Sequence, residues 1–311
     1  MELFLPIAHM DVNVLLILLY GALVGFLSGL VGVGGGFLIT PLLIFTGIPP
    51  IVAVSSGAAQ MAGTASGGSY LHWRHGNIDF KMGLILLSGS WLGGGFGVYL
   101  AKTLLRAGQF DNVVVFLYVI LLGFIGVSML IESLRAVFYS SALAAGDAQA
   151  TAATKSLLRT WVKSLPFQTA FPASGVRMSV LGPLISGASV GILTSLMGVG
   201  GGFIMVPMMI YVLKMPTKMV IGTSLFQLLF TTAAVSVMQA GVNHSVDPFL
   251  ALILILGSVL GTKLGARMSR RLPAEKLRLI LALVVVAVAV KMIVTLVVEP
   301  SDVYDLTIEV R

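Results

Sequence analysis

Two six-residue stretches carry the backbone groups best suited to chemistry in this chain. Gly32-Val33-Gly34-Gly35-Gly36-Phe37 is followed four residues on by Pro41. Gly198-Val199-Gly200-Gly201-Gly202-Phe203 is followed at the same distance by Pro207. Glycine costs about 1 kcal/mol relative to alanine inside a helix, so three in a row break one. Both stretches lie in long apolar runs. A break at membrane depth exposes backbone N–H and C=O groups, which is tolerated only where the backbone is buried in protein or lines a polar cavity. A helix restarting after Gly36 or Gly202 presents three or four free N–H groups and roughly half a positive charge. Such helix starts hold anions without a buried lysine, and glycine lets a ligand approach the backbone closely. The chemistry is therefore non-covalent capture of an anion by Gly34, Gly35, Gly36 and Phe37, matched by Gly200, Gly201, Gly202 and Phe203. The competing account needs no ligand: the glycines only permit a tight helical hairpin.

The residues around the breaks are polar but uncharged. Gln60 is matched by Gln227, and Thr223 and Ser224 stand close by; their hydroxyls and amides can donate to an oxyanion. Ser56, His72, Arg74 and His75 are candidates for a pathway. The last three sit in a basic turn beside Trp73, which serves either as an interfacial anchor or as a mouth that attracts anions. Other chemistries lack their parts. A phosphate loop needs a lysine after its glycines, or a third glycine where Phe37 and Phe203 stand. His72 and His75 have no third or fourth metal ligand near them. No His-Glu-x-x-His or Gly-x-Ser-x-Gly motif marks a hydrolase. The reading is of no enzyme, no catalytic residue, no metal and no cofactor.

The elements that must position these groups follow from composition. Of 311 residues, 57% are hydrophobic and 10% charged, against about 25% charged in a soluble domain. So few charges cannot cover a water-exposed surface, and membrane lipid is the solvent implied. The net charge of +7 then speaks to orientation rather than to nucleic acid. Residues 1–11 hold no Lys or Arg, unlike a cleaved signal peptide, so the first apolar segment is expected to remain as a span.

The apolar segments form two series. Each has a first span, a glycine break, a half-length apolar piece, a span rich in small residues, a glycine-striped span and a last span. An offset of 166 relates Gly32 to Gly198, Pro41 to Pro207 and Pro50 to Pro216. One inserted residue then pairs Ser56 with Thr223 and Gln60 with Gln227, and a second pairs Gly89, Gly93 and Gly97 with Gly257, Gly261 and Gly265. Glycines every fourth residue make a small-xxx-small face for close helix contact. Internal duplication with broken helices marks many transporter folds. The expected architecture is an all-α polytopic membrane protein of two homologous repeats, with about eight full spans and two half-helices. Repeat one covers 12–131, a basic linker 132–177, repeat two 178–298, and an acidic tail 299–311. Lys and Arg cluster in turn 72–81, in the linker and in turn 263–278, which places these in the cytoplasm. That pattern favours inverted over parallel repeats.

Two copies of Gly-x-Gly-Gly-Gly-Phe with the following proline, the Ser55-Ser56 and Gly222-Thr223-Ser224 segments, and the His75-Gly76-Asn77-Ile78-Asp79-Phe80 turn resemble the sulfite exporter TauE/SafE family of bacterial permeases. The resemblance covers nearly all of the chain except the linker. It implies a multi-pass secondary transporter in the bacterial inner membrane, carrying sulfite or an organosulfonate, with a coupling ion (proton or sodium) and a homodimeric state among its partners. The alternatives are an anion channel, or a structural or assembly protein in which the glycines serve packing alone.

Overall fold

The structure, a computed structural model, describes residues 2–31, 36–138, 168–211, 213, 215–269 and 274–297. Gly34 and Gly35, most of the linker and the tail from 299 lie outside the described residues. Ten α-helices are seen among them: α1 Val14–Val31, α2 Ile39–Phe45, α3 Pro50–Arg74, α4 Phe80–Arg106, α5 Phe110–Phe138, α6 Leu181–Met197, α7 Gly202–Tyr211, α8 Thr217–Val242, α9 Pro248–Ser269 and α10 Ala274–Val297. A 3₁₀ turn, Gly36–Leu38, leads into α2. Five helices (α4, α5, α8, α9, α10) are long and apolar enough to cross a membrane, and α1 and α6 are shorter apolar helices. The protein is thus a polytopic helical membrane protein. The half-length pieces are α2 and α7, seven and ten residues long.

Two β-hairpins precede the two first spans and add to the all-α expectation. β1 (Glu2–Leu5) pairs with β2 (Met10–Asn13), and β3 (Gln168–Phe171) with β4 (Val176–Ser179). Each has a four-residue loop opening on proline, Pro6 or Pro172, and closing on a left-handed residue, His9 at φ 51° or Gly175 at φ 68°. Leu5 and Phe171, 166 positions apart, are both buried. The duplication therefore reaches into the hairpins.

Two buried aspartates tie these hairpins down. Asp79 caps α4 by accepting from the Met82 N–H at 3.0 Å, in the manner of a helix N-cap. Its other oxygen accepts from the Ser174 N–H and hydroxyl in the β3–β4 loop, at 3.2 and 2.7 Å. Asp247 caps α9 through the Phe249 and Leu250 N–H groups and accepts from the Ile7 N–H in the β1–β2 loop at 3.1 Å. The Asp79 N–H donates to Thr223 Oγ1, and the Asp247 N–H to Ser56 Oγ. Each aspartate thereby joins its own repeat to the hairpin and central helix of the other. These two clusters mark the two ends of the molecule. Helix α3 starts near the Asp247 end, where Ser55 bonds Ser245, and finishes near the Asp79 end. Helix α8 starts at the Asp79 end beside Thr223, so α3 and α8 run antiparallel.

The glycine stripes explain the remaining packing. Helix α1 lies on α9 and α6 lies on α4, each pair drawn from different repeats. A Cβ added at Gly89 or Gly93 would strike the carbonyls of Leu184 or Ala188, and one at Gly257 or Gly261 those of Leu18 or Ala22. Backbones this close make many dispersion contacts, the source of helix association where lipid removes the hydrophobic drive. Helices α5 and α10 pack together on the flank.

A Gly261→Leu variant is expected to lose stability by more than the ~1–3 kcal/mol of ordinary overpacking, because backbone cannot turn aside. Gly95, which has nothing within 4 Å of an added Cβ, should accept alanine with no loss, as helix propensity favours it by about 1 kcal/mol. Thermal unfolding of both variants in detergent checks the pair.

Candidate functional site

The second glycine stretch interrupts its helix; at the first, α1 ends at Val31 and the described chain resumes in the 3₁₀ turn at Gly36. Helix α6 ends at Met197 with Gly198 in the left-handed conformation, φ 68°, its N–H on the Thr194 carbonyl. Gly200 and Gly201 also have positive φ, 67° and 69°, a region that other residues occupy only with strain. Helix α7 then starts at Gly202. The freed carbonyls of α6 find side-chain partners. The Tyr118 hydroxyl of α5 donates to the Met197 carbonyl, and the Gln239 amide of α8 donates to the Ser195 carbonyl at 3.0 Å. At the start of α7, the Ile204 and Met205 N–H groups already donate to the Gly201 carbonyl. Those of Gly202 and Phe203 have no intrahelical acceptor.

The two breaks meet through one side chain. Met61 of α3 is buried. Its sulfur occupies the place a Cβ on Gly36 would need, and its Cε and Sδ lie 2.5 and 2.6 Å from a Cβ built on Gly200. Leu228 of α8 is the repeat counterpart of Met61 and touches the same Gly200 position at 2.7 Å. The half-helix starts thus lie on either side of a Met61–Leu228 pair.

A half-enclosed cavity of about 230 Å³ stands against this pair. Gly36, Met61 and Leu228 form its floor, with Gln60 and Thr64 on the wall and His72 near the Asp79 end. Ser28 of α1 and Thr262 of α9 complete its polar lining. Among the described lining residues the one titratable side chain is His72. Gln60 Nε2 donates to Thr64 Oγ1 at 2.9 Å, and Thr64 bonds Ser258 of α9. Gln60 Oε1 and His72 Nδ1 are buried without a hydrogen-bond partner among the described residues. The repeat gives a second copy of the amide network. Gln227 Nε2 donates to Ser90 Oγ of α4 at 2.7 Å and to Thr231 at 3.1 Å, and its Oε1 is likewise buried and unpartnered.

The family model of the sulfite exporter TauE/SafE matches residues 17–292. The chain belongs to this family. Among curated relatives of this TauE/SafE protein, the probable membrane transporter protein YunE of Bacillus subtilis is 26% identical over 254 residues, 78% of this chain and 84% of that one. YjnA of the same organism, also a probable membrane transporter protein, is 27% identical over 242 residues, 78% and 85% of the two chains. A probable membrane transporter protein of Xylella fastidiosa is 28% identical over 245 residues, 76% and 77% of the two. No solved structure matches. The coarse function is therefore membrane transport.

Of the residues singled out in the sequence, Gly36, Gln60 and His72 come together in the cavity. Gly200 reaches it through Met61 and Leu228. Gly201 and Gly202 are buried, and Gly201 packs against Val190. Phe37 is buried in the apolar core with Leu38 and Ile39. Gln227 lies in the twin network, and Ser224 donates to the Ile221 carbonyl of its own helix. Ser56 and Thr223 hold the aspartate N–H groups at opposite ends. Arg74 and His75 are exposed at the end of α3. Gly34, Gly35 and the Phe203 side chain lie outside the described residues. Sequence reasoning picked out Ser28 as a polar group near the first break but missed Met61 and Thr262, which periodicity presents as ordinary core or packing positions. Their signal was the repeat offset carried through every position rather than through glycines and prolines alone.

Tyr118→Phe should leave the Met197 carbonyl unpaired at the break. The expected cost is about 1–3 kcal/mol, read as a lowered melting temperature in detergent with the helical content unchanged at low temperature.

Proposed function

We propose that this protein is a secondary transporter of a small sulfur-containing oxyanion, sulfite or an organosulfonate, in the bacterial inner membrane, working by alternating access between inverted repeats. The observation that carries the reading is the cavity at the first glycine break. It is walled by neutral polar groups and reaches Gly36 at the first break, with Gly200 of the second break behind Met61 and Leu228. Its volume is about the share of seven or eight liquid water molecules, room for an oxyanion with a short carbon chain. The hydroxyl of Ser28 and the second amide hydrogen of Gln60 offer hydrogen bonds without a fixed charge, so an anion is held but can leave; the Thr64 and Thr262 hydroxyls donate to the Gln60 and Ser258 carbonyls and hold the wall. The Gln60 amide oxygen is buried without a hydrogen-bond donor among the described residues. The antiparallel course of α3 and α8, and the aspartate clusters at opposite ends, support inversion. The family match supports sulfite as the first cargo to test.

Purified protein in proteoliposomes should carry radiolabelled sulfite or a short organosulfonate with saturable kinetics. Gln60→Leu, which keeps volume but removes the amide, should lower flux at least about tenfold, the size of one lost charge-assisted hydrogen bond. Absence of saturable flux for every such anion would overturn the cargo. Flux that stays linear with concentration would point to the channel alternative. Wild-type flux in Gln60→Leu would remove this cavity from the path.

A further inference from the structure

The repeat maps the cavity onto a second place in the molecule. With the offsets fixed by the glycines, Gly68 and His72 of α3 correspond to Val235 and Gln239 of α8. Leu225 of α8 corresponds to Ala58 of α3, and Ala266 of α9 to Val98 of α4. Contacts obey the same mapping. An added Cβ on Gly21 meets Leu254 and Ser258, and one on Gly187 meets their counterparts Leu86 and Ser90. The two places are equivalent by sequence and by neighbours, yet they differ in state.

Near the Asp79 end, Gly68, His72, Leu225 and Ala266 surround open space. Near the Asp247 end their counterparts are packed shut. Ala58, Val98 and Val235 form a separate apolar cluster, 0%, 2% and 1% exposed. A chain of hydrogen bonds covers it: Asn243 donates to Gln239 and, at 3.5 Å, to the Val98 carbonyl, while Gln239 donates to the Ser195 carbonyl. Among the described residues the open copy has no such chain. His72, in place of Gln239, keeps an unpartnered Nδ1, and Gly76, which has no side chain, stands where Asn243 does. The shut copy also keeps Gln227 Oε1 buried and unpartnered among the described residues. A buried acceptor without a donor is unfavourable, and entry of water would relieve it.

The geometry points to a second, closed vestibule at the Asp247 end, gated by Ala58, Val98 and Val235 and latched by Gln239 and Asn243. It opens as the cavity at the Asp79 end closes. This assignment rests on the transport reading for its purpose but not for its test. Two packings of one duplicated unit are close in free energy, so the lost latch shifts the population between them. The asymmetry of the latch accounts for which end is open in this structure.

The chain has no cysteine, so single cysteines report access cleanly. Ser28→Cys probes the open cavity and Val235→Cys the closed vestibule, each exposed in proteoliposomes to a membrane-impermeant thiol reagent from one side at a time. With the latch intact, Ser28→Cys should react from the Asp79 end and Val235→Cys scarcely at all. Adding Gln239→Leu or, as a milder change, Asn243→Ala should raise Val235→Cys labelling from the Asp247 end by about five-fold, the weight of one buried hydrogen bond. Ser28→Cys labelling should not rise, and should fall only by the share of molecules that have moved to the other state. Unchanged Val235→Cys labelling with both latch variants overturns the proposal, as does a rise of both cysteines together. No substrate enters this experiment, so its failure is separate from a failure of the flux measurement.

Discussion

A helix broken inside a membrane must find partners for the backbone it exposes, and that constraint organises this protein. At the second break the carbonyls of α6 are met by Tyr118 and Gln239, side chains from two other helices. The glycines admit Met61 and Leu228 where side chains of their own would stand. The break is thus stable only in the company of α3, α5 and α8. What remains at the second break is the pair of Gly202 and Phe203 N–H groups, which have no acceptor within α7, together with the polar side chains of the cavity. An anion is the natural complement to that remainder.

The repeats do not fold as separate halves that touch. Helix α1 belongs by sequence to the first repeat and packs on α9 of the second; α6 belongs to the second and packs on α4 of the first. Asp79 and Asp247 repeat the exchange at the two ends, each holding the other repeat's hairpin and central helix. Such interlocking suits a transporter. The close glycine contacts make rigid pairs, α1 with α9 and α4 with α6, that can move as bodies. Between the two pairs stand α3 and α8, and there Met61 and Leu228 meet at Gly200, Met61 with a flexible thioether that adapts to changing shape.

Much of this was legible in the letters. The offset of 166 and its two insertions announced the duplication, and the paired glycine runs announced the breaks. The stripes at Gly89, Gly93, Gly97 and at Gly257, Gly261, Gly265 foretold close helix contact. They could not say with whom, because a small face fits any small face, and the partner proved to be in the other repeat. The hairpins were not legible: four-residue strands are too short for a clear alternation, and most of the second falls in the stretch 132–177 that composition marks as a linker. Thr223 was singled out for substrate binding and Ser56 for a pathway because their types suit an oxyanion. Their hydroxyls accept aspartate N–H groups at the ends, a partnership that depends on where Asp79 and Asp247 fall in space. Asp79 and Asp247 share the offset of the glycine stripes, so the pair was visible to a complete reading of the repeat.

The central claim is that an oxyanion occupies the cavity beside Gly36 and the Met61–Leu228 pair. The most direct measurement is a diffraction experiment on crystals grown with a selenium oxyanion, selenite or an organoselenonate, located by anomalous scattering. The account places the selenium peak in the cavity, within hydrogen-bonding reach of the Gln60 amide and beside Gly36. A well-occupied peak elsewhere in the membrane-embedded region, with this cavity empty, would contradict it.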